Sequence, residues 1–286
     1  MKAAVKAIKF FEKFADKGLR GKITQKFFSG LLKLIKPRGK LILKDLARVY
    51  PESSEKWRKE IRSKVYENLS WTLVETLVLQ RDNSQAFDWI KSVKNIEIIN
   101  DLMQQKRGAL LLSGHFGNWE LGASWLTQNA IKHGHKMYVI YQPIHDADID
   151  KYLIDMRERY GMIMLDKNIS VMKIAHLLKE GAHIILLNDI SGKAELRVPF
   201  MGLDATNTPG AGLMAMLTGV PVIPACIYRN APFEHEIEFF EPLKFLQAKD
   251  REERLRLITL EMNKAIEKFI RRRPELWFWL HNRWKN

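Results

Sequence analysis

A chain of 286 residues is long enough for one large or two small domains and buries a substantial core. Its formal net charge is +14, and twelve Lys and Arg against Glu12 and Asp16 place +10 of that in the first 40 residues. A single cysteine, Cys226, excludes an internal disulfide and fits a reducing compartment, and no run approaches the ~20 apolar residues that cross a bilayer.

At the N-terminus Lys2, Lys6, Lys9, Lys13 and Lys17 recur every three or four residues, while Ala4, Ala7, Ile8, Phe11, Phe14 and Ala15 line the opposite helical face. A second apolar patch, Phe27 to Ile35, is bounded by lysines. Such a segment either lies in a membrane interface, held by acidic headgroups, or docks on the protein's own core. The almost purely lysine polar face favours the first, so residues 1–40 are read as a membrane-associating segment and 41–286 as a single domain. Lysines interrupt every stretch that would serve as a secretory signal. Basic charge also suits nucleic acid, but no motif for it occurs and the aromatic residues are not interleaved with the basic ones; no nucleic-acid partner is expected.

Residues 1–105 read as helical. The longest candidate covers about 54–80, with Ile61, Val65, Leu69, Leu73 and Leu77 at helical spacing and Ser54 suited to its N-cap. From residue 108 apolar strands at 109–113, 137–141, 162–165, 183–187, 221–228 and 235–240 alternate with amphipathic helices at 118–132, 148–160, 170–180 and 209–218. A charged helix follows at about 250–272. The alternation predicts an α/β fold, a largely parallel sheet flanked by helices, with ligands beyond the carboxyl ends of the strands.

One such end carries Gly114-His115-Phe116-Gly117-Asn118-Trp119-Glu120. Two helical residues five apart would stand about 140° from each other, so His115 and Glu120 meet only if His115 sits in the turn and Glu120 in the first helical turn. Gly114 and Gly117 supply the permissive backbone. A carboxylate that orients one imidazole nitrogen leaves the other as a base. The plainer alternative is a capping histidine and a glutamate placed by the helix dipole.

The HFGNWE run resembles the H-x4-D/E signature of membrane acyltransferases, in the form seen in bacterial lipid A biosynthesis acyltransferases. Tyr141-Gln142-Pro143, Arg157-Glu158-Arg159, Asn188-Asp189, Val198 to Gly202, Thr218 to Pro224 and the Trp277, Trp279, His281, Arg283, Trp284 cluster agree in order, over roughly residues 30–285. The resemblance implies a catalytic His115–Glu120 pair, in which Glu120 fixes the tautomer of His115. It further implies a substrate site including Arg157, Arg159, Asp189, Asn118 and Gly117. The donor it implies is acyl-acyl carrier protein or acyl-CoA, the acceptor an anionic glycolipid precursor of lipid A. The place it implies is the cytoplasmic face of the bacterial inner membrane. Gln142 and Ile190 replace an arginine and a glutamine common in relatives, which leaves other lipid acceptors open, among them mannosylated phosphoinositides and lysophospholipids. A non-catalytic lipid-binding protein is the further alternative.

No activated serine or Gly-x-Ser-x-Gly occurs, so direct attack without an acyl-enzyme is expected. Cys226 falls in an apolar strand and reads as packed thiol. His133 and His135 lack further ligands, and neither metal nor cofactor is expected. Thr206 to Gly212 opens a helix with free amides, suited to an anion or to capping alone. The C-terminal aromatic cluster reads as core packing for its closest tryptophans or as an interfacial belt.

Overall fold

The computed structural model describes residues 3–81, 84–191 and 196–284; Lys2 lies outside them. Two helices, α1 (Ala3–Glu12) and α2 (Leu19–Ile35), precede α3 (Gly39–Val49) and the long α4 (Glu55–Leu79). Ser54 caps α4 by accepting from the Trp57 amide at 3.1 Å. The α/β part then runs β1 (Ile90–Lys94), α5 (Glu97–Gln104), β2 (Ala109–Ser113), α6 (Trp119–Lys132), β3 (Met137–Tyr141), α7 (Ala147–Arg159), β4 (Ile163–Asp166), α8 (Val171–Lys179) and β5 (His183–Leu187). It closes with β6 (Leu196–Arg197), β7 (Thr206–Asn207), α9 (Gly210–Thr218), β8 (Val222–Ala231), β9 (Glu234–Phe239) and α10 (Arg251–Arg272).

Among the described residues seven strands form one sheet in the order β1-β9-β8-β2-β5-β3-β4. Strands β8, β2, β5, β3 and β4 are mutually parallel, while β9 returns antiparallel to β8 and pairs in parallel with β1. The central strands β2 and β5 are buried on both faces, which is why they read as unbroken apolar runs. Alternate residues serve opposite cores. Leu110, Leu112, Ile184 and Leu186 pack with residues of α8, α9 and α10. Ala109, Leu111 and Ile185 pack with α4, α5, α6 and α7.

One departure from the sequence reading stands out. The 1–105 stretch is not wholly helical, because Ile90–Lys94 forms β1; only five residues long and at the edge, it lacks the continuous apolar signature of the central strands. The N-terminal helices rest on the rest of the protein. Helix α2 packs along α4, with Gln25 Nε2 donating to the Ser70 hydroxyl at 2.8 Å in a buried contact, and Tyr152 of α7 donates to Glu12 at 3.0 Å. Of the expected N-terminal apolar face, Ile8 and Phe11 of α1 and Ala15 beyond it face the core, whereas Phe14 is turned out. Among the described residues no helix is long and apolar enough to cross a membrane.

Candidate active site

Strand β2 delivers the chain into a tight turn whose two glycines are required by space. A Cβ at Gly117, which has φ +58°, would stand 2.1 Å from the Ile227 carbonyl oxygen; one at Gly114 would stand 3.0 Å from the Asp189 carboxyl carbon. With no side chain at Gly114, Asp189 moves in behind the turn from the carboxyl end of β5 and accepts from the His115 amide at 2.8 Å. Its other oxygen lies 2.8 Å from His115 Nδ1. The indole of Trp277 donates a third bond to Asp189, at 2.8 Å.

The imidazole is thereby fixed. An ionised carboxylate only accepts, so Nδ1 carries the proton and Nε2 keeps its lone pair. Burial alone would lower the His115 pKa, but the charge and hydrogen bond of Asp189, aided by Glu120, raise it above its ordinary value. Burial pushes Asp189 the other way, and its bonds from His115 and Trp277 overcome this and hold it down at about 2.

Glu120 does not take the place expected for it. Its carboxylate is held by Arg157, whose Nε and terminal nitrogen donate at 3.0 and 2.6 Å, and by the Trp119 indole at 3.1 Å. The carboxylate on His115 Nδ1 is thus that of Asp189, which was expected among the substrate contacts and is instead buried behind the ring. Glu120 contributes charge from the first turn of α6. Its pKa is lowered because Arg157 overrides the cost of burial. The Trp119 ring meets the imidazole edge-on, with centroids 5.3 Å apart.

His115, Glu120 and Arg157 stand on a cavity of about 510 Å³ that runs between α6 and the sheet. Its other walls are mostly apolar, with Leu111, Leu126 and Met162 among them. Gly122 and Ala123, one turn into α6, line the slot where larger side chains would fill it. A polar base therefore opens on a long apolar space, an arrangement suited to deprotonating a group next to a buried hydrocarbon chain.

Residues 17–286 match the protein family described as bacterial lipid A biosynthesis acyltransferase. The chain belongs to this family. Among curated relatives, the lipid A biosynthesis lauroyltransferase of Escherichia coli (strain K12) is 27% identical over 259 residues, 89% of this chain and 81% of the relative. The lipid A biosynthesis palmitoleoyltransferase of the same organism is 24% identical over 255 residues, 88% and 80% of the two chains. The lipid A biosynthesis acyltransferase of Haemophilus influenzae is 26% identical over 263 residues, 89% and 79%.

Acyl transfer is the reaction class that the geometry of this acyltransferase has to serve, and the remaining candidate residues divide accordingly. Arg157 is at the cavity, while Arg159 points to the other end of its turn and donates to the Gln80 carbonyl. Asn118 is fully buried as the N-cap of α6, accepting from Leu121 N at 3.1 Å and donating to Glu75 at 2.8 Å, away from the cavity. Gly117 donates its N–H to the Leu276 carbonyl at 2.9 Å. Both belong to the framework of the turn and do not line the cavity.

The Thr206–Gly212 stretch is likewise occupied: Asn207 is buried, and Arg283 donates to it at 2.6 Å. The C-terminal cluster is core and not belt, with Trp277, Trp279, Arg283 and Trp284 all buried. Cys226 is buried in β8, and burial pushes its thiol well above the ordinary range. His133 and His135 do not converge; their ring nitrogens face the Asn129 and Met103 carbonyls at 2.8 and 2.7 Å. Trp277 and Glu75 carry no local signal of their contacts with Asp189 and Asn118, since these partners are distant in the chain.

Proposed function

We propose that the protein moves a fatty acyl chain from an acyl thioester, on acyl carrier protein or coenzyme A, to a hydroxyl of a lipid A precursor. The observation that carries this is the bare Nε2 of His115 at the mouth of the apolar cavity. Nε2 takes the hydroxyl proton as the oxygen attacks the thioester carbonyl. The C–O bond forms, the C–S bond breaks, and the thiolate leaves with the proton returned by the imidazolium. Asp189 holds the tautomer and steadies the charged ring, and the ion pair of Glu120 with Arg157 holds the rim above the cavity. The names of the curated relatives support the acceptor. The test is transfer from acyl-acyl carrier protein to a tetra-acylated, Kdo-bearing lipid A precursor, read by mass spectrometry, for wild type and His115→Ala. An acylated product from the wild type alone supports the reading; equal product from both removes His115 as base.

A second acceptor class is favoured by one observation. Arg157 is engaged by Glu120 and Arg159 by a backbone carbonyl, and position 142 is Gln, so few free cations are left for an acceptor with two phosphates, whereas one with a single phosphate needs fewer. Product with a lysophospholipid or phosphoinositide mannoside, and none with the lipid A precursor, would keep the chemistry and change the acceptor.

The site proposed for the reaction is an anionic membrane surface. Leu19, Ile23, Phe27 and Leu31 stand exposed every fourth residue along α2, with Leu34 next on the same stripe and Phe10 of α1 and Phe14 just beyond it also exposed. Lys22, Lys26 and Lys33 belong to the same helix. An apolar stripe among lysines suits headgroups above and acyl chains below. Co-flotation with vesicles containing phosphatidylglycerol should weaken in the Ile23→Glu/Phe27→Glu variant; unchanged flotation would refute this surface.

A further inference from the structure

Helix α4 is long and mostly apolar where it enters the core, yet Asn68, Thr72 and Glu75 are all buried on it at spacings of four and three residues. These positions form one stripe along the helix. Every member touches the catalytic turn or the segment that closes over it. Glu75 is fully buried and accepts from Asn118 Nδ2 at 2.8 Å, the residue that caps α6 three positions after His115. It also accepts from Arg229 at 2.7 and 3.3 Å, from the Phe233 amide at 3.3 Å and from His235 Nε2 at 3.1 Å. Thr72 Oγ1 lies 3.0 Å from the Gly117 carbonyl oxygen. Asn68 Nδ2 donates at 3.2 Å to the Leu276 carbonyl, the same oxygen that accepts from Gly117 N at 2.9 Å.

The stripe thus grips two arms at once. One is the turn that carries His115, held at Gly117 and Asn118. The other is the C-terminal segment, held at Leu276, whose next residue, Trp277, donates to Asp189. One arm carries His115, and the other carries the indole that donates to Asp189. Arg229 ties the stripe together, donating to Asn68, Thr72 and Glu75. A buried ion pair adds little stability over an apolar packing of equal volume, so stability alone does not account for so many donors on one carboxylate.

We infer that Glu75 is a positioning residue for acyl transfer: through Asn118, and with Thr72 on Gly117, it sets the alignment of His115 with Asp189. The inference rests on His115 as the base. A shift of the turn by a fraction of an ångström lengthens the Nδ1 contact and weakens the bias toward a proton on Nδ1, so the imidazole pKa falls and kcat with it.

The test uses the full chain and four variants. Glu75→Gln keeps the shape but turns an amide against Asn118 or Arg229; Thr72→Val removes the hydroxyl and Thr72→Ser restores it. Glu75→Gln should lower kcat by about tenfold or more with the thioester KM within about twofold, because binding is untouched and alignment is lost. The acidic limb of the pH–rate profile, and the His115 imidazole pKa followed by NMR, should both move down by about half a unit or more. Thr72→Val should shift both in the same direction and Thr72→Ser should return them.

A Glu75→Gln protein that only melts earlier, with wild-type kcat and His115 pKa, would overturn the inference. If that variant does not fold, a Thr72→Val protein with wild-type kcat and pKa overturns it equally. His115→Ala separates the two levels. Its full activity refutes the base, whereas its inactivity beside unperturbed Glu75→Gln and Thr72→Val refutes the positioning alone.

Discussion

Asp189→Asn tests whether the carboxylate behind His115 or that of Glu120 directs the imidazole. The aspartate accepts from three N–H groups, two on one oxygen and one on the other. An asparagine has a single carbonyl oxygen, and the flip that keeps most bonds places it where the His115 amide and Trp277 indole converge. Its NH2 then faces His115 Nδ1. The imidazole must offer Nδ1 as acceptor and move its proton to Nε2, which disarms the base. Losing the charged bond to the imidazolium alone costs roughly 1.5–3 kcal/mol, about one to two decades in rate. The wrong tautomer enlarges this, so kcat should fall by roughly 10²–10⁴-fold while the protein stays folded on its two remaining bonds.

The pH profile carries a sign as well. The base works when neutral, and a raised pKa sets the acidic limb of the wild type above the ordinary histidine value. Without the aspartate, burial acts against Glu120 alone, and the limb moves to lower pH. The assay is acyl transfer from acyl-acyl carrier protein by mass spectrometry between about pH 5 and about pH 9, beside Glu120→Gln. An Asp189→Asn enzyme within about threefold of wild type, with the large loss and the shifted limb in Glu120→Gln instead, would return the orienting role to Glu120.

Three further outcomes follow from the same contacts. Arg157→Ala strips the partner from a Glu120 side chain that is only 9% exposed, and should cost about 3–5 kcal/mol in urea unfolding, whereas an additional Glu120→Gln should recover part of it. His183 is fully buried, neither ring nitrogen has a hydrogen-bond partner among the described residues, and burial beside His135 lowers its pKa to about 4. The folded state resists a proton that the unfolded chain accepts below its ordinary 6.5, so His183 costs no stability above that value and removes it as pH falls toward 4. The drop between about pH 7 and about pH 5 should therefore shrink by about 2 kcal/mol in His183→Leu, and an unchanged drop would show that the ring is hydrated. Cys226 should resist iodoacetamide in the native protein and react on unfolding; rapid native alkylation would contradict its burial.

The periodic and continuous signals in the chain determined most of the fold. Strands 109–113, 137–141 and 183–187 coincide with β2, β3 and β5; β2 and β5 are buried on both faces and so must be apolar throughout. The start of α4 was likewise announced by its cap, Ser54. The edge strand β1 escaped notice because half of it is solvated and its pairing with β9 joins residues far apart in sequence. The pattern around His115 located the turn that lines the cavity, since a glycine turn at a strand end is a local feature.

What the local pattern left open was which carboxylate faces which nitrogen. Glu120 is five residues from His115 and pairs with Arg157; Asp189 is 74 residues away and is brought in by the β2–β5 register, which sets Ser113 beside Leu187. Trp277, Glu75 and Arg229 joined the site in the same way, through sheet pairing and helix packing that no run of neighbours encodes. Hydrogen bonds are decided by separations of tenths of an ångström, and only the packed chain sets those distances.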